Sequence, residues 1–171
     1  MGRVRARDSS PFKGEKHDHR RCVKTALTRA AKICASTGGR LTALRREVLE
    51  RVWQSHRPVG AYEILAALGR RRGSVAPPTV YRALEFLSAQ GLVHRIESLN
   101  AFVGCTRAGE PHSGQFLICR ACGRAAEMSD RRIDAAVRHS LADAGFVVER
   151  PTVEAHGVCR DCRASAGAGH A

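Results

Sequence analysis

The sequence predicts an α+β protein in two parts, a set of helices closed by a β-hairpin and a smaller α/β unit after it. Apolar residues recur at helical spacing through most of residues 22–90, whereas short β-rich runs dominate after residue 91. Two Cys-x-x-Cys pairs also fall in the second part, with 36 residues between them. Because the second part is short, it buries little apolar surface. A metal ion bound by these four cysteines could stabilise it.

Four helices are predicted in the first part from apolar residues spaced three and four apart. They cover residues 22–37, 43–55, 61–68 and 77–90. Thr42 is a suitable cap for the second helix, and Pro77 and Pro78 suit the first turn of the fourth. The segment 70–74 between the third and fourth helices is predicted to be a basic loop. Two β-rich runs, 92–97 and 102–105, follow as a hairpin, and this order predicts a winged helix-turn-helix.

The second part is predicted to contain three strands and one helix. The strands cover residues 115–119, 124–128 and 146–155, and the helix covers 130–144 with Ser129 as its cap. The predicted organisation is therefore a flexible basic arm at 1–20, a winged-helix domain at 21–105, a hinge at 106–111, an α/β domain at 112–163 and a flexible tail at 164–171.

The excess positive charge is confined to the first part. Residues 1–95 contain 20 basic and 7 acidic side chains, which accounts for the whole formal charge of +13, and residues 96–171 contain nine of each. A basic domain of this kind favours a polyanion such as nucleic acid over a merely solvated surface. No apolar run approaches the ~18 residues of a membrane span, and no secretory signal follows the basic amino terminus. The sequence therefore predicts a cytoplasmic protein whose thiols stay reduced.

The paired cysteines Cys119, Cys122, Cys159 and Cys162 are the strongest chemical signal. Each Cys-x-x-Cys lets two thiolates converge from one tight turn, and two such turns complete the tetrahedral sulfur cage of a structural zinc. A single redox pair with incidental cysteines is the weaker interpretation.

A second set of metal-ligand residue types lies around the predicted hinge. His94 and Cys105 fall on the two strands of the hairpin, His112 follows the hinge, and Glu127 ends a strand of the second part. One metal bound by all four would tie the two domains together. Spacing alone does not separate such a site from packed or surface residues.

A third set, His17, His19 and Cys22, has spacing compatible with a metal. A histidine-containing arm is the simpler interpretation, and we assign this set no site.

Several segments match one known family. They are Arg40-Leu-Thr, Ala61-Tyr-Glu, Pro77-Pro-Thr-Val-Tyr-Arg-Ala-Leu, Gly91-Leu-Val-His, Phe116-Leu-Ile-Cys-Arg-Ala-Cys-Gly and Glu154-Ala-His-Gly-Val-Cys-Arg-Asp-Cys. On these residues the chain resembles the ferric uptake regulator superfamily over about residues 22–163, and within it the zinc uptake regulator branch. The resemblance implies a homodimeric, zinc-responsive repressor of zinc uptake genes that binds palindromic double-stranded operator DNA. The domain at 112–163 would be its dimerisation domain, stapled by zinc.

The resemblance also implies roles for particular residues. It implies two Zn²⁺ per subunit, a structural zinc on the four paired cysteines and a regulatory zinc on His94, Cys105, His112 and Glu127. The fourth helix becomes the recognition helix, and the residues implied in DNA binding are Tyr62, Thr79, Tyr81 and Arg82. An iron- or peroxide-sensing regulator of the same superfamily is the alternative. It fits less well, because the stretch Pro111-His-Ser-Gly-Gln-Phe has one histidine and no aspartate, which supplies few oxygen ligands.

Two further classes of protein fit the sequence less well. A zinc deaminase needs His-x-Glu followed by Pro-Cys-x-x-Cys with one open metal position, whereas here Glu154-x-His156 precedes Cys159 and two pairs would saturate the ion. We therefore predict no enzyme activity and no small-molecule substrate. An interaction module that is stapled by zinc and does not bind DNA would explain the cysteines but leave the basic helices unused.

Overall fold

A computed structural model describes residues 11–12, 18–73 and 75–167, and these residues form six α-helices, one 3₁₀ turn and six strands in two sheets. The elements in chain order are α1 (His19–Ser36), α2 (Ala43–Val52), β1 (Val59–Gly60), α3 (Ala61–Arg72), α4 (Pro77–Ala89), β2 (Val93–Ile96), the 3₁₀ turn (Glu97–Leu99), β3 (Ala101–Gly104), β4 (Gly114–Cys119), β5 (Ala125–Met128), α5 (Arg131–Asp143), β6 (Thr152–Gly157) and α6 (Arg160–Gly167). This is the predicted α+β class, with a winged-helix part followed by a small α/β part.

The winged-helix part is built around one apolar core between its helices and an antiparallel sheet of order β1-β3-β2. The predicted inner stripe of α4 is buried and comprises Val80, Ala83, Leu84 and Leu87. Proline at the first turn fixes the start of α4, and Gly91, with φ +64°, takes the chain out of the helix just after Gln90. The core thus holds α4 by one face and leaves the other outside.

Three helix boundaries in this part differ from the prediction by three residues or more, and one of them is the end of α2, which lies at Val52 and not at residue 55. The first helix begins at His19 instead of Cys22, because the Asp18 side chain accepts a hydrogen bond from the Arg20 backbone N–H and caps it. The segment 70–72 belongs to α3 and is not a loop, since arginine is a good helix former and Gly73, at φ +81°, ends the helix. Most of the predicted arm, residues 1–10 and 13–17, lies outside the described residues.

The α/β part has a sheet of order β5-β4-β6, in which β5 is antiparallel and β6 parallel to β4. The predicted strand at 146–155 is wrong in its first half. Gly114, the first residue of β4, pairs with Thr152, so earlier residues have no strand beside them in the described chain. The cap of α5 is Asp130 rather than Ser129, because the Asp130 side chain accepts from the Arg132 backbone N–H. Residues 164–167 of the predicted tail form the end of α6, and residues 168–171 lie outside the described range.

The two parts touch through the hairpin. Ile96, at the end of β2, is fully buried in a small cluster with Phe116 and Ile118 of β4. The Ala125 backbone N–H donates to the His56 carbonyl over 2.9 Å, which adds a main-chain link between the parts. No helix within the described ranges combines the length and apolar character needed to cross a membrane.

Candidate metal centres and nucleic-acid interface

The four-cysteine cluster (Cys119, Cys122, Cys159 and Cys162) lies at one end of the second sheet. Its four sulfur atoms are within 4.8 Å of one another. The parallel register explains this convergence, because Cys119 ends β4 opposite Gly157 of β6, and the chain reaches Cys159 two residues later. A closed set of four sulfurs suits tetrahedral zinc and leaves no open position for a substrate.

Hydrogen bonds lower the pKa of two of the four cysteines in this cluster. The Cys159 backbone N–H donates to the Cys119 sulfur over 3.3 Å and, against the effect of burial, lowers the pKa of Cys119 to about 6. Burial opposes ionisation of Cys122, but hydrogen bonds from Arg124 outweigh it and lower the Cys122 pKa. The Cys162 pKa rises to about 12, chiefly through its hydrogen bond with Cys159 and through burial. The Cys119 sulfur is thus favoured as a thiolate that can bind a cation, whereas Cys162 keeps a proton that a metal would have to displace.

Arg124 is a member of this centre that the sequence analysis missed. The residue is only 8% exposed. Nε donates to the Cys122 sulfur over 3.3 Å, Nη2 lies 3.7 Å from the Cys159 sulfur, and Nη2 also pairs with Asp161 over 2.9 Å. A guanidinium so placed offsets part of the negative charge of the thiolates. The only indication of this role in the sequence is that a basic residue lies two positions after Cys122.

The mixed-ligand cluster (His94, Cys105, His112 and Glu127) draws on both parts of the molecule. Its four ligand atoms also lie within 4.8 Å of one another. Glu127 Oε1 is 2.8 Å from His112 Nε2 and 3.1 Å from His94 Nε2. The Cys105 sulfur is 3.4 Å from His112 Nε2 and 3.9 Å from Glu127 Oε1. One thiol, two imidazoles and one carboxylate at this spacing form a four-ligand set of the kind that zinc accepts.

Neighbouring backbone and hydroxyl groups orient the mixed-ligand cluster. The Thr106 N–H and O–H donate to Glu127 Oε2 over 2.8 and 2.6 Å, which leaves Oε1 facing the histidines. His112 Nδ1 lies 2.7 Å from the Glu110 carbonyl, which can only accept. Nδ1 therefore carries the proton, and in the neutral ring Nε2 keeps its lone pair for a metal. Thr106 was also missed, and its position directly after Cys105 was the only sequence signal.

Two groups of the mixed-ligand cluster differ in ionisation. Burial opposes the charge on Glu127, but hydrogen bonds from His94 and Thr106 outweigh it and lower the Glu127 pKa to about 2. Burial and the nearby negative charge of Glu127 raise the pKa of Cys105 to about 12. At neutral pH the cluster therefore presents a carboxylate and a protonated thiol, and a metal that binds the sulfur must displace the proton.

The residues implied in DNA binding share one exposed region. Thr79, Tyr81 and Arg82 lie exposed on α4, on the side opposite its buried stripe. Tyr62 on α3 is 72% exposed, Tyr81 is 39% exposed, and their rings meet edge to face with centroids 6.5 Å apart. Exposed aromatic and arginine side chains on a helix held by its other face match the requirements of major-groove contact.

The third histidine and cysteine set is only partly visible, because His17 lies outside the described residues. His19 and Cys22 are both on α1, and the His19 ring lies 4.9 Å from the ring of His56. Within the described chain, groups of three or more metal-binding residues occur only at the four-cysteine and mixed-ligand clusters.

Comparison with known proteins agrees with this architecture. The model of the ferric uptake regulator family matches residues 36–162. The zinc uptake regulation protein of Escherichia coli (strain K12) is 38% identical over 137 residues, which is 80% of this chain and 80% of that protein. The zinc uptake regulation protein of Mycobacterium tuberculosis (strain ATCC 25618 / H37Rv) is 32% identical over 103 residues, or 60% of this chain and 78% of that protein.

Two solved structures extend the similarity to the fold. One, a zinc uptake regulator complexed with zinc and DNA, has 36% identity and a TM-score of 0.80, covering 85% of this chain and 97% of that one. The other, the crystal structure of holo XcZur, has 40% identity and a TM-score of 0.75, covering 82% and 98%. With the family match spanning most of its length, the chain belongs to the ferric uptake regulator family.

Proposed function

We propose that this protein is a zinc-responsive transcriptional repressor that binds palindromic operator DNA as a zinc-loaded homodimer and controls zinc uptake genes in the cytoplasm. The observation that carries the proposal is the mixed-ligand cluster, whose four ligand atoms come from both parts of the molecule and lie within 4.8 Å of one another. The relatives named for zinc uptake regulation support the choice of zinc.

Each cluster has its own role in the proposal. The four-cysteine cluster would hold a structural zinc, and His94, Cys105, His112 and Glu127 would hold a regulatory zinc, giving two ions per subunit. The regulatory ion supplies a cross-link between the hairpin and the second sheet. Sulfur and nitrogen ligands outnumber the single carboxylate, which favours zinc over the iron of other family members. The proposal assigns the protein neither a reaction nor a small-molecule substrate.

The protein's own residues convert that cross-link into DNA binding. His94 lies on β2, which packs against α4, and Cys105 directly follows β3 of the same hairpin, while Glu127 lies on β5 of the second sheet. Holding them together restricts the angle between the two parts. In a dimer this angle sets the distance between two α4 helices, which must match major grooves about 34–36 Å apart. Without the cross-link only a fraction of molecules has the required angle, and affinity falls by that fraction.

The second part supplies the surface for a homodimer. The apolar face of α5, formed by Ile133, Val137 and Leu141, is only half-buried in the single chain, and no residue of the helix is fully buried. Phe146 and Val147 beyond it are 60% and 87% exposed. Burial of these side chains against a second copy would complete the small core of this part.

The proposal is tested by measuring affinity for DNA with and without zinc. An operator duplex is first selected from random sequence with zinc-loaded protein, and its affinity is then measured by fluorescence anisotropy. We expect the zinc-loaded dimer to bind about 100-fold more tightly than protein that has lost the regulatory zinc to a mild chelator. Equal affinities in the two states would rule out zinc-dependent repression.

The same assay examines the recognition helix. Arg82→Ala should weaken binding by about 1–3 kcal/mol, because an exposed arginine on α4 is placed to contact a base or a phosphate. Arg163→Ala, which removes another exposed arginine, this one from α6, is the matched control and should bind normally. Unchanged affinity in Arg82→Ala would exclude this face of α4 from DNA recognition.

A further inference from the structure

The tip of the hairpin makes a polar contact with the last strand that is separate from both metal clusters. The Glu97 backbone N–H donates to Glu154 Oε1 over 2.7 Å, and the Ser98 backbone N–H donates to Glu154 Oε2 over 3.1 Å. His156 Nε2 lies 3.0 Å from the Ser98 hydroxyl oxygen. Glu154 and His156 are two residues apart on β6 and therefore point to the same side of the strand.

The 3₁₀ turn at Glu97–Leu99 is well suited to this contact. The first N–H groups of a helical turn have no partner inside the turn, so two consecutive donors face outward together. Asn100 closes the turn in the left-handed region at φ +46°, and its N–H donates to the Glu97 carbonyl. A single carboxylate then satisfies both donors with charge-assisted hydrogen bonds, one on each oxygen.

The Glu154 contact and the mixed-ligand cluster lie near opposite ends of β2. His94 is near the start of the strand and Glu97 follows its last residue, which places them about 10 Å apart along the chain. Between them, Ile96 packs on Phe116 and Ile118. The mixed-ligand cluster lies at the base of the hairpin and the Glu154 contact lies at its tip, so the two separated attachments together fix its direction.

We propose that Glu154 and His156 are positioning residues that anchor the hairpin tip to the second sheet and thereby fix the angle between the two parts in the DNA-binding form. This inference rests on the proposed zinc-dependent DNA binding, and it adds a second determinant of the angle that contains no metal ligand. In this arrangement the hairpin tip forms a second connection between the two parts.

Hydrogen exchange tests the contact without using DNA. In the zinc-loaded protein, the amide exchange rates of Glu97 and Ser98 are followed by NMR in the wild type, Glu154→Ala and Glu154→Gln. We expect Glu154→Ala to speed exchange at these two amides about tenfold, and Glu154→Gln, which keeps one oxygen acceptor, to restore part of the protection. Zinc content and thermal midpoint are measured in the same samples, and Glu154→Gln serves as the test variant if Glu154→Ala does not fold.

Operator affinity tests the consequence. The zinc-loaded Glu154→Ala variant, still holding two zinc ions per subunit, should bind the selected duplex about tenfold more weakly, since fewer molecules have the required angle. Ser98→Ala, which removes only the contact to His156, should have a smaller effect. Glu97→Gln is the matched control, because it removes a negative charge from the same turn but keeps both backbone donors, and it should bind as the wild type does.

The possible outcomes separate the inference from the proposed function. Unchanged exchange at Glu97 and Ser98 in Glu154→Ala would overturn the anchor. Faster exchange with wild-type operator affinity would show a contact that does not set the angle, and would overturn the inference as well. Failure of the proposed function has a different signature, because the wild-type protein itself would then bind DNA equally with and without zinc.

Discussion

The two candidate metal clusters each offer four ligand atoms but differ in what they connect. The four-cysteine cluster is contained in one part of the molecule, where β4, β6 and α6 bring its sulfurs together. The mixed-ligand cluster takes His94 and Cys105 from the hairpin and Glu127 from the second sheet. Under the proposed function, zinc in the first would stabilise one part, whereas zinc in the second would restrict how the two parts are arranged.

The difference follows from how much core each part has. The winged-helix part buries an extensive apolar cluster. The second part contributes only Phe116 and Ile118 to a small cluster, and α5 has no fully buried residue. The part with the weaker core contains the closed sulfur site. Variants at each cluster should therefore fail in different ways.

The largest effect is expected from Cys119→Ser. Loss of one sulfur ligand removes most of the folding free energy that a structural zinc provides, which is about 10–16 kcal/mol in small zinc domains. We expect the second part to unfold and the dimer to dissociate, as measured by circular dichroism and analytical ultracentrifugation. Cys22→Ser is the control, because Cys22 lies outside both clusters. A stable, fully dimeric Cys119→Ser protein with normal DNA binding would contradict a structural role.

Cys105→Ser should have a functional effect without loss of fold. The protein should remain a dimer with one zinc per subunit in the four-cysteine cluster, but its zinc-dependent gain in operator affinity, about 100-fold in the wild type, should be lost. Metal analysis and anisotropy on one preparation provide both values. Full zinc-dependent binding by this variant would show that the mixed-ligand cluster does not control DNA affinity.

The two clusters also differ in how far the sequence predicts them. Paired Cys-x-x-Cys spacing indicates the four-cysteine cluster without a structure, because each pair converges through a local turn. His94 and Glu127 are 33 positions apart in the sequence, and only the packing of the hairpin on the second sheet brings them together. Spacing could not show this, and the family resemblance supplied the residues. The inner stripe of α4 and the cap Thr42 were correctly predicted for the same local reason.

The errors in prediction have non-local causes. Residues 146–151 have a sequence pattern typical of a strand, but β4 begins opposite Thr152 and offers them no partner. Thr106 and Arg124 were missed because a single threonine or arginine has no characteristic spacing. Their roles come from the neighbours that the fold places beside them, Glu127 in one case and the cysteine sulfurs in the other.

The variant Thr106→Val tests a residue that supports a metal ligand without being a ligand itself. The valine is similar in shape but lacks the hydroxyl that donates to Glu127 Oε2, so Glu127 is held less firmly. Loss of such a supporting hydrogen bond lowers metal affinity by about 10–100-fold. Zinc affinity is measured by competition with a chelator while the four-cysteine zinc stays bound. Thr28→Val, on the exposed face of α1, is the control and should leave the affinity unchanged. Wild-type affinity in Thr106→Val would remove Thr106 from this role.

The smallest expected effect is the response of the mixed-ligand cluster to pH. Because the Cys105 pKa is about 12, the thiol is protonated at both pH 7 and pH 8, and zinc must displace its proton. The thiolate fraction rises tenfold per pH unit in this range, so apparent zinc affinity should rise by about the same factor. Glu127, with a pKa of about 2, is ionised throughout and adds nothing. Titrations at the two pH values measure the change, and equal affinities would mean that the Cys105 sulfur is not a ligand.

The packing of Ile96 on Phe116 and Ile118 has a calorimetric consequence. If release of the regulatory zinc opens the angle between the two parts, these side chains become exposed to water. Closure on zinc binding then buries them again and carries a negative heat-capacity change, so the binding enthalpy becomes more favourable as temperature rises. Replacing Ile96 with alanine would reduce this temperature coefficient while leaving every ligand atom in place. Part of the heat-capacity change on zinc binding would then come from these three apolar side chains.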